Sequence, residues 1–133
     1  MTLKENEREI LIQHRIKQAD EALDDVEFLL KHKKLSLAAN RIYYALFYGI
    51  SALALKNNFS TSKHKQLIGW FNKNFIKTGL FDKTYSKLIY TAFENREKSD
   101  YDFLFMLTRE EVENSFMLAK SFISNVTESI RKI

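Results

Sequence analysis

From Ile42 to Leu55 the chain carries no charged residue. Written out from Asn40, this stretch reads NRIYYALFYGISALAL. On a helical wheel Ile42, Tyr43, Leu46, Ile50 and Leu53 share one face. Tyr44, Tyr48 and Leu55 lie opposite, together with Arg41 and Ser51. A helix that is apolar round most of its circumference is buried on most sides. A membrane span needs about 20 apolar residues, more than are present here. The expectation is therefore the inner helix of a soluble bundle, with its tyrosine side turned toward a second subunit or a buried polar site.

The rest of the chain supplies the helices to cover it. Of 133 residues, three are Gly and none is Pro, which disfavours turn-rich all-β folds. The length suits one domain with its own core. A first helix is expected from about Thr2 to Lys31, with Ile12, Ile16, Ala19, Leu23, Val26 and Leu30 recurring at steps of four and three. The central helix should end near Asn57–Asn58. A third helix is expected over about Ser62–Thr78, with His64, Leu67, Ile68, Phe71 and Phe75 on one face and Gly79 as terminator. A fourth runs from Asp82 to about Lys98. A fifth opens at Thr108, where Thr108 and Glu111 form a T-x-x-E capping box. Its stripe is Val112, Phe116, Ala119, Ile123, Val126 and Ile130. The fold class expected is all-α: an antiparallel up-and-down bundle of about five helices, one domain over residues 1–133.

Several chemistries are disfavoured. Without cysteine there are no disulfides, thiolate nucleophiles or cysteine metal sites. The three histidines, His14, His32 and His64, lack metal-ligand spacing. The central helix carries no acid, which speaks against a carboxylate-bridged metal bundle. No metal and no cofactor are expected. MTLKENEREI does not read as a signal peptide, so the expected location is cytoplasmic, without a membrane. The net charge is +4, and seven lysines between Lys56 and Lys87 face a single acid, Asp82. Such a region can attract phosphates or an acidic partner, although for any single lysine a solvated helix face is the commoner reading.

Arg96 is the most informative placement. Tyr85, Ile89, Ala92 and Arg96 fall at steps of four, three and four, so a cation continues an apolar stripe, where it needs a partner or a ligand. Asp100 is placed to orient the guanidinium, and Tyr101 to donate a hydrogen bond or stack on a base. Arg41, Tyr44 and His64 are further candidates for the same site. The alternative reading is structural, an Arg96–Asp100 ion pair closing the fourth helix, with His64 a hydrogen-bonded core residue.

The segments Arg41-x-Tyr43-Tyr44-Ala45, Ser62-Lys63-His64-Lys65, Phe75-Ile76-Lys77-Thr78-Gly79 and Arg96-Glu97-Lys98-Ser99-Asp100-Tyr101, in this order, resemble the HEPN (higher eukaryotes and prokaryotes nucleotide-binding) domain family. The resemblance extends from about Ser36 to the end of the fifth helix. It implies an all-α bundle that forms a homodimer and works beside a minimal nucleotidyltransferase, in some pairs as toxin and antitoxin. Active members are metal-independent ribonucleases, whose arginine holds the RNA phosphate while a histidine four to six residues further on moves the proton. Arg96 matches that arginine. At the histidine position stands Tyr101, followed by Asp102 and Phe103, and an ordinary tyrosine pKa near 10 makes a poor base at neutrality. The resemblance thus offers three expectations. RNA or a nucleotide binds through Arg96 with Asp100, Arg41 and Tyr44. His64 takes the catalytic place of the missing histidine, alongside Arg96 and Tyr101. Tyr101 is the acceptor if the nucleotidyltransferase modifies a tyrosine. The competing expectation is a non-catalytic interaction module braced by Arg96.

Overall fold

A computed structural model describes residues 4–101 and 106–132, the side chains of Asp100 and Tyr101 excepted. The elements are α1 (Glu5–Lys31), α2 (Leu35–Lys56), α3 (His64–Phe71), a π-helical turn (Asn72–Ile76), α4 (Lys83–Tyr101) and α5 (Arg109–Lys132). No strand occurs among the described residues. The chain is an all-α helical bundle, as the periodicities require.

α2 is the shared wall. It packs on α1 along most of its length and also meets α3, α4 and α5. Ten of its residues are buried, among them Ala38, Ala45, Gly49, Ala52 and Ala54, whose small side chains let neighbouring helices approach. At Gly49 the approach of α5 is so close that a Cβ would lie 2.6 Å from Ile123 Cδ1. Tyr44, Tyr48, Leu55, Arg41 and Ser51 are half-buried, so the face opposite Ile42 and Leu46 is covered only in part. The α1 stripe closes over one side of α2 through Ile12, Ala19, Ala22, Val26 and Leu30, and α5 closes another through Phe116, Ala119, Phe122, Ile123 and Val126.

The ends are set by local chemistry. Asn58 (φ 61°) and Gly79 (φ 80°) take the left-handed conformation that stops a helix. Lys33 does the same at φ 60° and lets Lys34 N–H donate to the Leu29 carbonyl. Thr108 Oγ1 accepts from the Glu111 amide while Glu111 Oε1 accepts from the Thr108 amide, which completes the capping box. Asp82 Oδ1 accepts from the Thr84 amide at the start of α4.

The third helix differs from expectation. Instead of continuing to Thr78 it stops being α-helical at Phe71, and Lys77 N–H donates five residues back to Asn72. The wider turn keeps both Phe71 and Phe75 in the core, stacked at 5.6 Å, and Asn72 Oδ1 accepts from Ser86 on α4. Phe71, Phe75, Phe81, Tyr85 and Phe122 then form an edge-to-face cluster joining this segment to α4 and α5.

Candidate functional site

The site is built on the covered end of α2. Tyr43 and Tyr44 follow one another there, so their rings leave the helix about 100° apart. Tyr43 points into the core and is 2% exposed, whereas Tyr44 is half-buried, and the rings meet edge to face at 5.4 Å. One turn later Phe47 runs beside Tyr43. From α4, Phe93 closes on Tyr43 at 6.0 Å and Arg96, one turn beyond Ala92, follows it.

Arg96 is half-buried, with its guanidinium carbon 5.0 Å from the Tyr43 ring centre and 5.4 Å from that of Tyr44. Both separations lie within the range of a cation–π contact. Among the described side chains no carboxylate pairs with it. The stripe of Tyr85, Ile89 and Ala92 thus does end on Arg96, as its spacing implies, but the stripe surfaces there and the cation lies across aromatic faces.

His64, the first residue of α3, stacks against Tyr43 with ring centres 5.7 Å apart. Its Nδ1 shares a hydrogen bond of 2.5 Å with the Tyr43 hydroxyl, and its ring sits 4.1 Å from that of Phe47. Burial, and secondly the Arg96 charge, push the imidazole below the usual histidine value of 6.5, so it is neutral at neutral pH. Burial raises the Tyr43 phenol above its ordinary 10, against the opposing pull of Arg96. The contact therefore joins two neutral groups. If the phenol donates, the ring keeps its proton on Nε2. If the ring donates, Nε2 carries the lone pair of a base.

Arg41 stands at the rim. Its Nε lies 3.4 Å from Asp25 Oδ2 on α1, an ion pair whose geometry leaves that buried N–H without a hydrogen bond. Its guanidinium carbon is 5.9 Å from the Tyr44 ring centre, so Tyr44 lies within cation–π reach of two guanidinium groups. The structure thus brings together Arg96, His64, Tyr44 and Arg41 from three helices. Asp100 and Tyr101 lie one turn further along α4, and their side chains, with Asp102 and Phe103, fall outside the described residues. His14 and His32 are exposed, and no group of three His, Cys, Asp or Glu side chains among the described residues is gathered as a metal site. No described helix is long and apolar enough to cross a membrane.

Sequence reasoning passed over Tyr43 as a functional group. It lies on the core face and reads as packing, yet it is the residue that touches both Arg96 and His64. Its adjacency to Tyr44 in the uncharged stretch from Ile42 to Leu55 was the available signal.

Comparison with known proteins agrees with this architecture. The chain is 39% identical to a UPF0332 protein of Thermotoga maritima over 96% of its own length and 97% of that protein. Two proteins of Methanocaldococcus jannaschii, each named a putative toxin, match at 33% and 30% identity over 81% and 92% of this chain, covering 72% and 90% of theirs. The HEPN domain profile matches residues 12–130. With nearly the whole bundle inside that match, the chain belongs to the HEPN domain family.

Proposed function

We propose that this chain is a toxin of the toxin–antitoxin type that grips an RNA phosphate with Arg96, acting as a homodimer and held in check by a nucleotidyltransferase. The observation that carries the reading is the placement of an arginine and a neutral histidine against one buried tyrosine, the first over its ring and the second on its hydroxyl. The names of the two archaeal relatives support its biological setting.

The chemistry follows from the groups. A guanidinium presents a planar fork of donors that fits two phosphate oxygens, and partial burial strengthens the attraction. The RNA's own 2′-oxygen attacks the adjacent phosphorus, and the bond from phosphorus to the 5′-oxygen breaks. A base must take the 2′-hydroxyl proton and an acid must return one to the leaving oxygen. His64 serves as that base, because its lowered affinity for protons leaves it unprotonated at neutrality, and water supplies the proton to the leaving 5′-oxygen. Arg96 stabilises the negative charge that grows on the phosphate oxygens. In this reading Asp100 orients the guanidinium and Tyr101 donates to the phosphate, with Tyr44 and Arg41 flanking it.

The test is binding and cleavage of labelled RNA in EDTA by the parent, Arg96→Ala and His64→Ala. Loss of charged hydrogen bonds worth about 1.5–3 kcal/mol weakens Arg96→Ala binding by about tenfold to a hundredfold. His64→Ala keeps binding and loses cleavage. Equal behaviour of the parent and Arg96→Ala in both assays overturns the reading. Co-expression with a minimal nucleotidyltransferase, followed by co-purification and mass measurement of Tyr101, tests the partner.

A second reading has its own support. The guanidinium already faces two aromatic rings, which is what a structural brace does. On that reading Arg96→Ala lowers the melting temperature and leaves RNA affinity unchanged.

A further inference from the structure

Beside the site, between α1 and the connection from α2 to α3, lies a cleft of about 330 Å³. His64 is on its wall, and so is Phe47, so it adjoins the Tyr43 cluster directly. The other polar side chains lining it are Arg15, Ser51, Ser60, Thr61 and Ser62, and none of its lining residues is acidic. Arg15 is half-buried, and among the described residues its guanidinium makes one hydrogen bond, from Nη1 to Gln18 Oε1 at 2.7 Å, with no carboxylate paired to it. Thr61 Oγ1 is engaged with Gln66 and the Lys63 amide. The hydroxyls of Ser51, Ser60 and Ser62 make no hydrogen bond among the described residues. α3 begins here with no side-chain cap, which leaves its first amides to other acceptors. Lys63 and Lys65 stand exposed on either side of His64. The wall is firm, because Phe59 of the connection stacks flat on Trp70 at 5.3 Å.

We propose that this cleft receives a second phosphate of the same RNA strand, held by Arg15 and the Ser60 and Ser62 hydroxyls, while Arg96 holds the first. The inference rests on the RNA-binding reading of Arg96 and extends it. An arginine half-buried and, among the described residues, without a counter-ion, beside hydroxyls that none of those residues engages, makes a donor-rich surface that suits a phosphodiester. Its position gives the strand a direction. It passes from Arg96, past His64, into the Arg15 cleft, so the imidazole lies between the two phosphates. A mononucleotide spans only the first position, and an oligonucleotide spans both.

The test compares a short labelled oligoribonucleotide with 5′-AMP as competitor, using the parent, Arg15→Gln and Arg96→Ala. With Arg15→Gln, oligonucleotide affinity falls about tenfold. The slope of log affinity against log salt loses about 0.7, the value for one phosphate contact on a single strand. The affinity for 5′-AMP stays as in the parent. Ser62→Glu, an exposed substitution that leaves the core intact, puts a carboxylate at the mouth and lowers oligonucleotide affinity likewise. If both variants bind the oligonucleotide as the parent does while Arg96→Ala does not, the cleft is no phosphate site and the Arg96 reading stands. If Arg96→Ala also binds as the parent does, the reading itself fails and the cleft fails with it.

Discussion

Tyr43→Phe removes one oxygen atom from the middle of the site and leaves almost everything else in place. The phenyl ring keeps its contacts with Tyr44, Phe93 and Arg96, at 5.4, 6.0 and 5.0 Å. What is lost is the hydrogen bond to His64 Nδ1 and the weaker interaction of the phenol oxygen with the Arg96 side chain, and a double-mutant cycle separates the first from the second. A neutral intramolecular bond contributes about 0.5–1.5 kcal/mol net, and leaving a fully buried partner unsatisfied costs about 1–3 kcal/mol. His64 is only half-buried and water reaches it, so the lower range applies. Tyr43→Phe should destabilise by about 1 kcal/mol, and for a chain of this size the melting temperature falls by roughly 4 °C. A double-mutant cycle with His64→Ala isolates the pair. Urea unfolding of the parent, both single variants and the double variant should give a coupling of about 1 kcal/mol. Additivity within about 0.3 kcal/mol would show that the two side chains do not support one another, and the site as described would not exist.

Two further outcomes concern the scaffold and its pH response. Gly49→Ala gains about 1 kcal/mol of helix propensity but drives Ile123 Cδ1 aside from 2.6 Å, an overpacking cost of about 1–3 kcal/mol. It should destabilise by about 1 kcal/mol in denaturant unfolding. Ile123→Val, which deletes that methyl, should restore the loss in the double variant beyond simple addition, and plain additivity would mean that α2 and α5 are further apart. His64 has a lowered affinity for protons in the folded chain, so below its unfolded value of 6.5 the unfolded chain takes up the proton first. Stability is therefore fully present above pH 6.5 and declines as the pH falls from there through the folded value. A pH series of unfolding midpoints should show this step in the parent and lose it in His64→Ala.

The helices were legible because their signals are local. The stripes of α1 and α5, the Thr108–Glu111 box, and the stops at Asn58 and Gly79 each involve residues a few positions apart. The π-helical turn at Asn72–Ile76 was not legible, because it places Phe71 and Phe75 against Phe81 and Phe122, which lie further along the chain. Arg96 was found because its spacing put a cation in an apolar series. That Tyr43 joins it to His64 was not readable, since the contact spans 21 positions and depends on how α3 docks on α2. Arg15 was overlooked although it lies three residues after Ile12 and four before Ala19, on the edge of the buried α1 stripe. A basic residue at the margin of such a stripe carries the same information as Arg96 and was masked by the charged residues around it.

The proximity of Arg96 and His64 links anion binding to protonation. Burial is the first cause of the imidazole's lowered value and the Arg96 charge is the second. A phosphate on the guanidinium cancels much of that charge without removing the burial. The histidine value in the complex therefore rises above its value in the free protein and stays subject to desolvation. Between those two values the complex holds more protons than the free chain, so binding takes up protons and affinity increases as the pH falls through that interval. Titration calorimetry with a deoxydinucleoside monophosphate, whose single diester phosphate does not titrate in this range, in buffers of different ionisation enthalpy reads the uptake directly. It should be positive in mildly acidic solution, vanish at high pH and be absent in His64→Ala. Proton release, or an uptake that survives His64→Ala, would place the bound anion away from this pair.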